Sequence, residues 1–163
     1  MPKALIPGTY DPVTLGHLDV IERATRIFSH VVVAVADSHQ KGLGPLFSSE
    51  ERVEFIKDAV QHLSNVQVCP FDTLLVEFAA DMGVDTIVKG LRAVTDFEWE
   101  FQQASINYQL SPDLETMFIM ANPQSMYLSS SMVKEIAAMG GDVTNWVTPL
   151  VKRELLARLR PGK

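Results

Sequence analysis

The string Pro7-Gly8-Thr9-Tyr10-Asp11-Pro12-Val13-Thr14-Leu15-Gly16-His17 gathers rigid, small and donor residues into one short stretch. Gly8 lets backbone approach an anion closely, and Thr9 adds a hydroxyl donor. Gly16 and His17 stand where a helix begins, so free amides and the positive dipole end face a phosphate. The plain alternative is a strand-to-helix turn with Thr14 as N-cap. The string is neither G-x-G-x-x-G nor G-x-x-x-x-G-K-[ST], so the dinucleotide fingerprint and the P-loop are both absent. A helix N-terminus disfavours an imidazolium at His17 and a nearby triphosphate favours it; in either state the ring can donate to a phosphate oxygen.

Other chemistry-bearing residues follow the later apolar runs. Lys41 lies in the loop after the second run. Lys89, Gly90, Leu91 and Arg92 follow the fourth, so two cations flank a glycine. Asp96, Glu98 and Glu100 come next; acids at a helix start are usually dipole partners, and one of them can instead meet a sugar hydroxyl or a metal-bound water. Ser129, Ser130 and Ser131 precede Met132, Val133 and Lys134, which reads as a capped helix start and also offers hydroxyls, amides and an ammonium to a second phosphate.

Elements of a particular kind must position these groups. Leu5 and Ile6 mark a first strand. Leu18, Ile21, Ala24 and Ile27 have helical spacing. Residues 31–36 form a β-branched run suited to a strand covered on both faces. Ser48 and Glu51 match a capping box opening a helix to about residue 63. Strands are expected at 66–69, 86–88 and 116–120, and helices at 75–82, about 96–110, 130–139 and about 149–159, with Gly140 and Gly141 as a helix stop. The alternation predicts an α/β fold with a five-stranded, mostly parallel sheet and helices on both faces. Ligands then bind beyond the carboxyl ends of the strands, near a switch point.

The chain has 163 residues, 47% apolar and 21% charged, which suits a single domain over 1–163. A net charge of −6 argues against a nucleic-acid binder. No apolar stretch approaches the roughly 20 residues of a membrane span. The N-terminal stretch lacks the apolar region of a signal peptide. Cys69, the single cysteine, reads as a small buried thiol. A cytoplasmic protein without membrane association is expected.

Taken together, PGTYDPVTLGH, Lys41, KGLRAVTDFEWE and YLSSSMVKE resemble the phosphopantetheine adenylyltransferase family, in its order and spacing and over nearly the whole chain. The Thr14 to His17 element alone would indicate only the wider nucleotidyltransferase superfamily. The resemblance implies a Rossmann-like nucleotidyltransferase fold. It implies transfer of AMP from ATP to 4′-phosphopantetheine, giving dephospho-coenzyme A and pyrophosphate, with Mg²⁺ held mainly by ATP phosphates and water, in a homohexamer. It implies catalytic roles for Thr9, His17, Lys41 and Arg92. ATP would meet Thr9, Tyr10, His17, Gly90, Leu91, Arg92 and Glu100, together with Ser125, Met126, Tyr127, Leu128, Ser129, Ser130 and Ser131. The acceptor would meet Thr9, Lys41, Leu75 and Lys89. Lys89 stands where the family commonly has arginine, Gly42, Leu43 and Gly44 lengthen the loop after Lys41, and Trp99 replaces a frequent tyrosine.

Three rival readings stay open at this point. Another small nucleotidyltransferase would use a different acceptor. A nucleotide or coenzyme A sensor would bind without turnover. A fragment of an aminoacyl-tRNA synthetase is the most remote, given the acidic balance.

Overall fold

The computed structural model describes residues 2–37 and 44–161. Along the chain run β1 (Lys3–Gly8), α1 (Leu15–Thr25), β2 (His30–Ala36), α2 (Ser49–Val60), β3 (Val66–Phe71), α3 (Leu75–Asp81), β4 (Thr86–Leu91), α4 (Val94–Leu110), β5 (Glu115–Met120), α5 (Ser130–Ala138) and α6 (Pro149–Leu159). The five strands form one sheet, ordered β3-β2-β1-β4-β5, and every pairing is parallel.

Strand periodicity explains why the sheet has two apolar layers. Successive side chains leave opposite faces, so Val31, Val33 and Val35 of β2 join one cluster while Val32 and Ala34 join the other. Ala4 and Ile6 of β1 divide from Leu5 in the same way, as Val88 of β4 does from Ile87. The first layer takes Val20 and Ile21 of α1, Val53 and Ile56 of α2, Val133 of α5, and Val151 and Leu155 of α6. Val76 and Ala79 of α3 cover the other. A strand buried on both faces has no polar alternation, as its sequence required.

The helix starts are set by their caps. Ser48 accepts from the Glu51 amide and the Glu51 carboxylate accepts from the Ser48 amide, the expected capping box. Thr14, Ser129 and Thr148 cap α1, α5 and α6. α3 and α4 have no side-chain cap, and Phe97, Trp99, Phe101, Ile106, Tyr108 and Leu110 lie exposed along α4. No described helix is long and apolar enough to cross a membrane.

One element extends further than the sequence suggests. Apolar character ends at Val88, but β4 continues to Leu91 because Lys89, Gly90 and Leu91 pair with Phe118, Ile119 and Met120 of β5. Lys89 and Gly90 are therefore strand residues facing opposite ways, not loop residues. The sheet order reverses direction between β1 and β4, so the crevice beyond their carboxyl ends is the ligand position that parallel α/β sheets favour.

Candidate active site

A cavity of about 340 Å³ occupies that position. Pro7 and Tyr10 from the end of β1, Thr14, Gly16, His17 and Val20 from α1, and Lys89, Gly90 and Arg92 from β4 and its exit line it. Asp96 and Glu100 of α4, Ser125 and Leu128 of the loop after β5, and Ser129, Ser130 and Ser131 at the start of α5 complete the lining. Its volume lies within the range of ordinary small-molecule sites.

His17 is held by the turn that starts α1. The Thr14 amide donates to His17 Nδ1 at 3.0 Å, and the Thr14 hydroxyl lies 3.1 Å from the same nitrogen. A backbone N–H can only donate, so Nδ1 accepts and the proton of the neutral ring belongs on Nε2. That N–H has no partner among the described residues, which leaves it for a ligand in the cavity. Burial, aided by the Arg92 guanidinium, lowers the His17 pKa to about 4. The ring is therefore a neutral donor at pH 7. Tyr10 supports it edge-on at 5.0 Å between ring centroids. The Tyr10 hydroxyl donates to the Ile6 carbonyl at 3.0 Å, and burial pushes its pKa well above the usual phenol value.

Two glycines are explained by close approach. A Cβ on Gly8 would stand 2.9 Å from the Tyr10 ring, so this glycine makes room for the ring rather than for a phosphate. A Cβ on Gly16 would meet the Ser125 side chain at 3.3 Å, so this one lets α1 reach the loop after β5.

The two helix starts differ in what they leave open. In α1 the Leu15 amide donates to the Trp146 carbonyl and the His17 amide to the Thr14 hydroxyl. In α5 the Ser129 hydroxyl caps the Met132 amide, and the Ser130 hydroxyl donates to the Pro12 carbonyl at 2.7 Å. The Ser130 and Ser131 amides lie in the first turn, where no intrahelical acceptor exists, and no described residue accepts from them.

Across the cavity both cations are paired. Lys89 Nζ stands 3.2 Å from Glu100 Oε2, and Arg92 Nε 3.1 Å from Asp96 Oδ2. Arg92 also donates to the Leu128 carbonyl at 2.6 Å. The Lys89 contact lacks hydrogen-bond alignment, so Glu100 Oε2 is a buried acceptor without a directed donor. Lys134 does not face the cavity; its ammonium binds the buried Asp11 carboxylate at 2.7 Å.

Of the residues expected from sequence, Tyr10, His17, Lys89, Gly90, Arg92, Glu100, Ser125, Leu128, Ser129, Ser130 and Ser131 meet in one cavity. Thr9 is exposed beside it. Leu91, Met126 and Tyr127 do not line it, and Tyr127 is 81% exposed. Leu75 packs with Phe71 and Phe78 against the second apolar layer, away from the lining. Lys41 lies outside the described residues. Sequence reasoning passed over Ile6, Val20 and Ala121 as cavity walls. The available signal was positional, since Ile6 and Ala121 stand at or near strand ends.

The cytidylyltransferase-like family model matches residues 5–136. A phosphopantetheine adenylyltransferase of Rhodospirillum centenum (strain ATCC 51521 / SW) is 49% identical over 156 residues, covering 93% of this chain and 84% of that protein. The chain belongs to the phosphopantetheine adenylyltransferase family. A solved structure described as a "Putative Nicotinate-nucleotide Adenylyltransferase" from Vibrio parahaemolyticus superposes with a TM-score of 0.66 at 21% identity, over 96% of this chain and 99% of that one. That likeness concerns the fold alone.

Proposed function

We propose that the protein transfers AMP from ATP to 4′-phosphopantetheine, releasing pyrophosphate and forming dephospho-coenzyme A. The observation that carries the reading is the cavity at the β1/β4 reversal. There a neutral His17 donor, the open α5 amides and two cations converge. The acceptor phosphate is the nucleophile. Its second pKa is near 6, so it is largely dianionic at neutral pH and needs no general base. It attacks the α-phosphorus in line, the new P–O bond forms, and the bond to the pyrophosphate oxygen breaks. The chain's task is to hold two anions together and to stabilise the charge that builds on the phosphoryl oxygens.

His17 Nε2–H and the Ser130 and Ser131 amides suit the phosphoryl oxygens. Arg92 suits the triphosphate, with Thr9 between the two phosphates. Glu100 Oε2 lacks a donor that a nucleotide hydroxyl or amino group can supply. Lys89, and Lys41 by resemblance, would hold the acceptor phosphate. Gly90, Leu91, Tyr10 and residues 125–131 would border ATP, and Leu75 the pantetheine arm. Mg²⁺ would arrive on the ATP phosphates with water as its other ligand. The cavity acids Asp96 and Glu100 stand as ion pairs with Arg92 and Lys89. Residues 1–163 read as one domain around a single sheet. The large apolar side chains exposed on both sides of α4 suit contacts between the subunits of a homohexamer, and ATP as substrate supports a cytoplasmic location.

The test combines protein, ATP, Mg²⁺ and 4′-phosphopantetheine and looks by mass for dephospho-coenzyme A. Pyrophosphate release with nicotinate or nicotinamide mononucleotide, or with glycerol phosphate and CTP, and none with phosphopantetheine, would overturn the acceptor. ATP binding without turnover on any acceptor would overturn the enzyme.

A further inference from the structure

Arg52, in the first turns of α2, has only 1% of its surface exposed. A charge buried this deeply needs acceptors to replace water. The hydrogen bonds of Arg52 go to main-chain carbonyls. Nε donates to Phe47 at 3.1 Å and Ser48 at 3.2 Å, and Nη1 donates to Thr9 at 2.6 Å and Ala36 at 2.9 Å. The first pair belongs to the entry of its own helix. The second pair is distant in sequence. Thr9 follows the last residue of β1 and Ala36 ends β2, beyond the final ladder pair of Gly8 with Val35. One guanidinium nitrogen thus joins two strand ends where the sheet between them has stopped.

The peptide it grips is a demanding one. Tyr10 has φ of 52°, a left-handed conformation that a bulky residue seldom adopts unless its surroundings impose it. That peptide sets where the Thr9 side chain points and where the Tyr10 ring lies against His17. Arg52 does not line the cavity. The same segment is held separately, because the Asp11 carboxylate accepts from the Leu46 and Phe47 amides at 2.9 and 3.0 Å. Loss of Arg52 donors therefore leaves residues 46–48 anchored.

We propose that Arg52 is a positioning residue for the transfer: through the Thr9 carbonyl it fixes the Thr9–Tyr10 peptide, and with it the Thr9 hydroxyl and the ring that abuts His17. The proposal rests on the transfer activity proposed above. It adds a residue that touches neither substrate.

The experiment compares wild type, Arg52→Lys, Arg52→Met, Thr9→Ala and the Thr9→Ala/Arg52→Lys double variant, by steady-state kinetics and thermal unfolding. No product from wild type removes the functional reading and this proposal with it. With wild type active, Arg52→Lys keeps the charge without the fork. Its kcat falls by about tenfold while the KM for ATP stays near wild type, as a displaced reacting group requires. Arg52→Met loses more. In the Thr9→Ala background the Lys substitution costs much less, because the two residues act in series. The proposal fails if folded Arg52→Lys keeps wild-type kcat with only a lower Tm. It also fails if the two losses multiply independently, or if neither Arg52 variant yields folded protein, which would make the residue purely structural.

Discussion

The two walls of the cavity hold their polar groups in different ways. On the α1 and α5 wall, donors are fixed by the N-cap residues of the two helices and their outward N–H groups stay open. Thr14 fixes Nδ1 of His17, and the Ser129 hydroxyl caps α5. On the β4 and α4 wall, each cation is already neutralised, Lys89 by Glu100 and Arg92 by Asp96. The first wall is set for an oxyanion before any ligand arrives, the arrangement that yields the largest electrostatic stabilisation. The second must exchange a carboxylate for a phosphate and so contributes more to ligand capture than to the chemical step.

That contrast is broken most directly at His17. His17→Ala should lower kcat on the order of 10²- to 10³-fold, as for other lost oxyanion donors, with a far smaller change in the KM for ATP. A near-normal kcat in single-turnover measurement would remove His17 from the chemistry. Lys89→Ala tests the other wall. It should raise the KM for phosphopantetheine by about tenfold, the scale of one charged hydrogen bond, and leave kcat nearly intact. An effect confined to ATP would move Lys89 to the nucleotide side.

The first wall was much more legible in the sequence than the second. Caps are local patterns, so Ser48 with Glu51, Thr14 and the serine run announced their helices. β2 announced itself by a run of valines that both layers need. The end of β4 was hidden because its last pairs depend on β5, which is distant in the chain. Gly8 read as a phosphate approach, and only the fold shows the Tyr10 ring in its place. Arg52 and Asp11 were invisible as site residues, since charged side chains are rarely buried and nothing nearby in sequence reveals their partners. Lys134 read as a phosphate ligand for the opposite reason: its neighbours in sequence face the cavity, and its carboxylate partner is 123 residues away.

A pH experiment sharpens the view of His17 as a neutral donor. Its folded pKa of about 4 lies below the unfolded value of 6.5. The unfolded chain therefore binds more protons between those two values. His17 lowers stability progressively as pH falls from about 6.5 to about 4, and its penalty is complete below that. His17→Gln cannot titrate. The stability difference between wild type and this variant, from urea unfolding, should drift against wild type over that window and stay flat above it. A flat difference throughout would mean that His17 is protonated as readily in the folded chain as in the unfolded one.

The smallest expected effect separates two parts of one residue. Thr14 holds α1 through its hydroxyl, which accepts from the His17 amide at 3.4 Å, and holds the imidazole through its own amide at 3.0 Å. Thr14→Ala removes the first contact and keeps the second. Loss of an N-cap hydroxyl costs about 1 kcal/mol, and the long capping distance places this one at the low end. If the amide alone sets the ring, Thr14→Ala lowers Tm by a few degrees and leaves kcat close to wild type. A kcat loss approaching that of His17→Ala would show that the hydroxyl, 3.1 Å from Nδ1, also fixes the proton on Nε2. The pre-set wall would then depend on a side chain that its sequence advertises only as a helix cap.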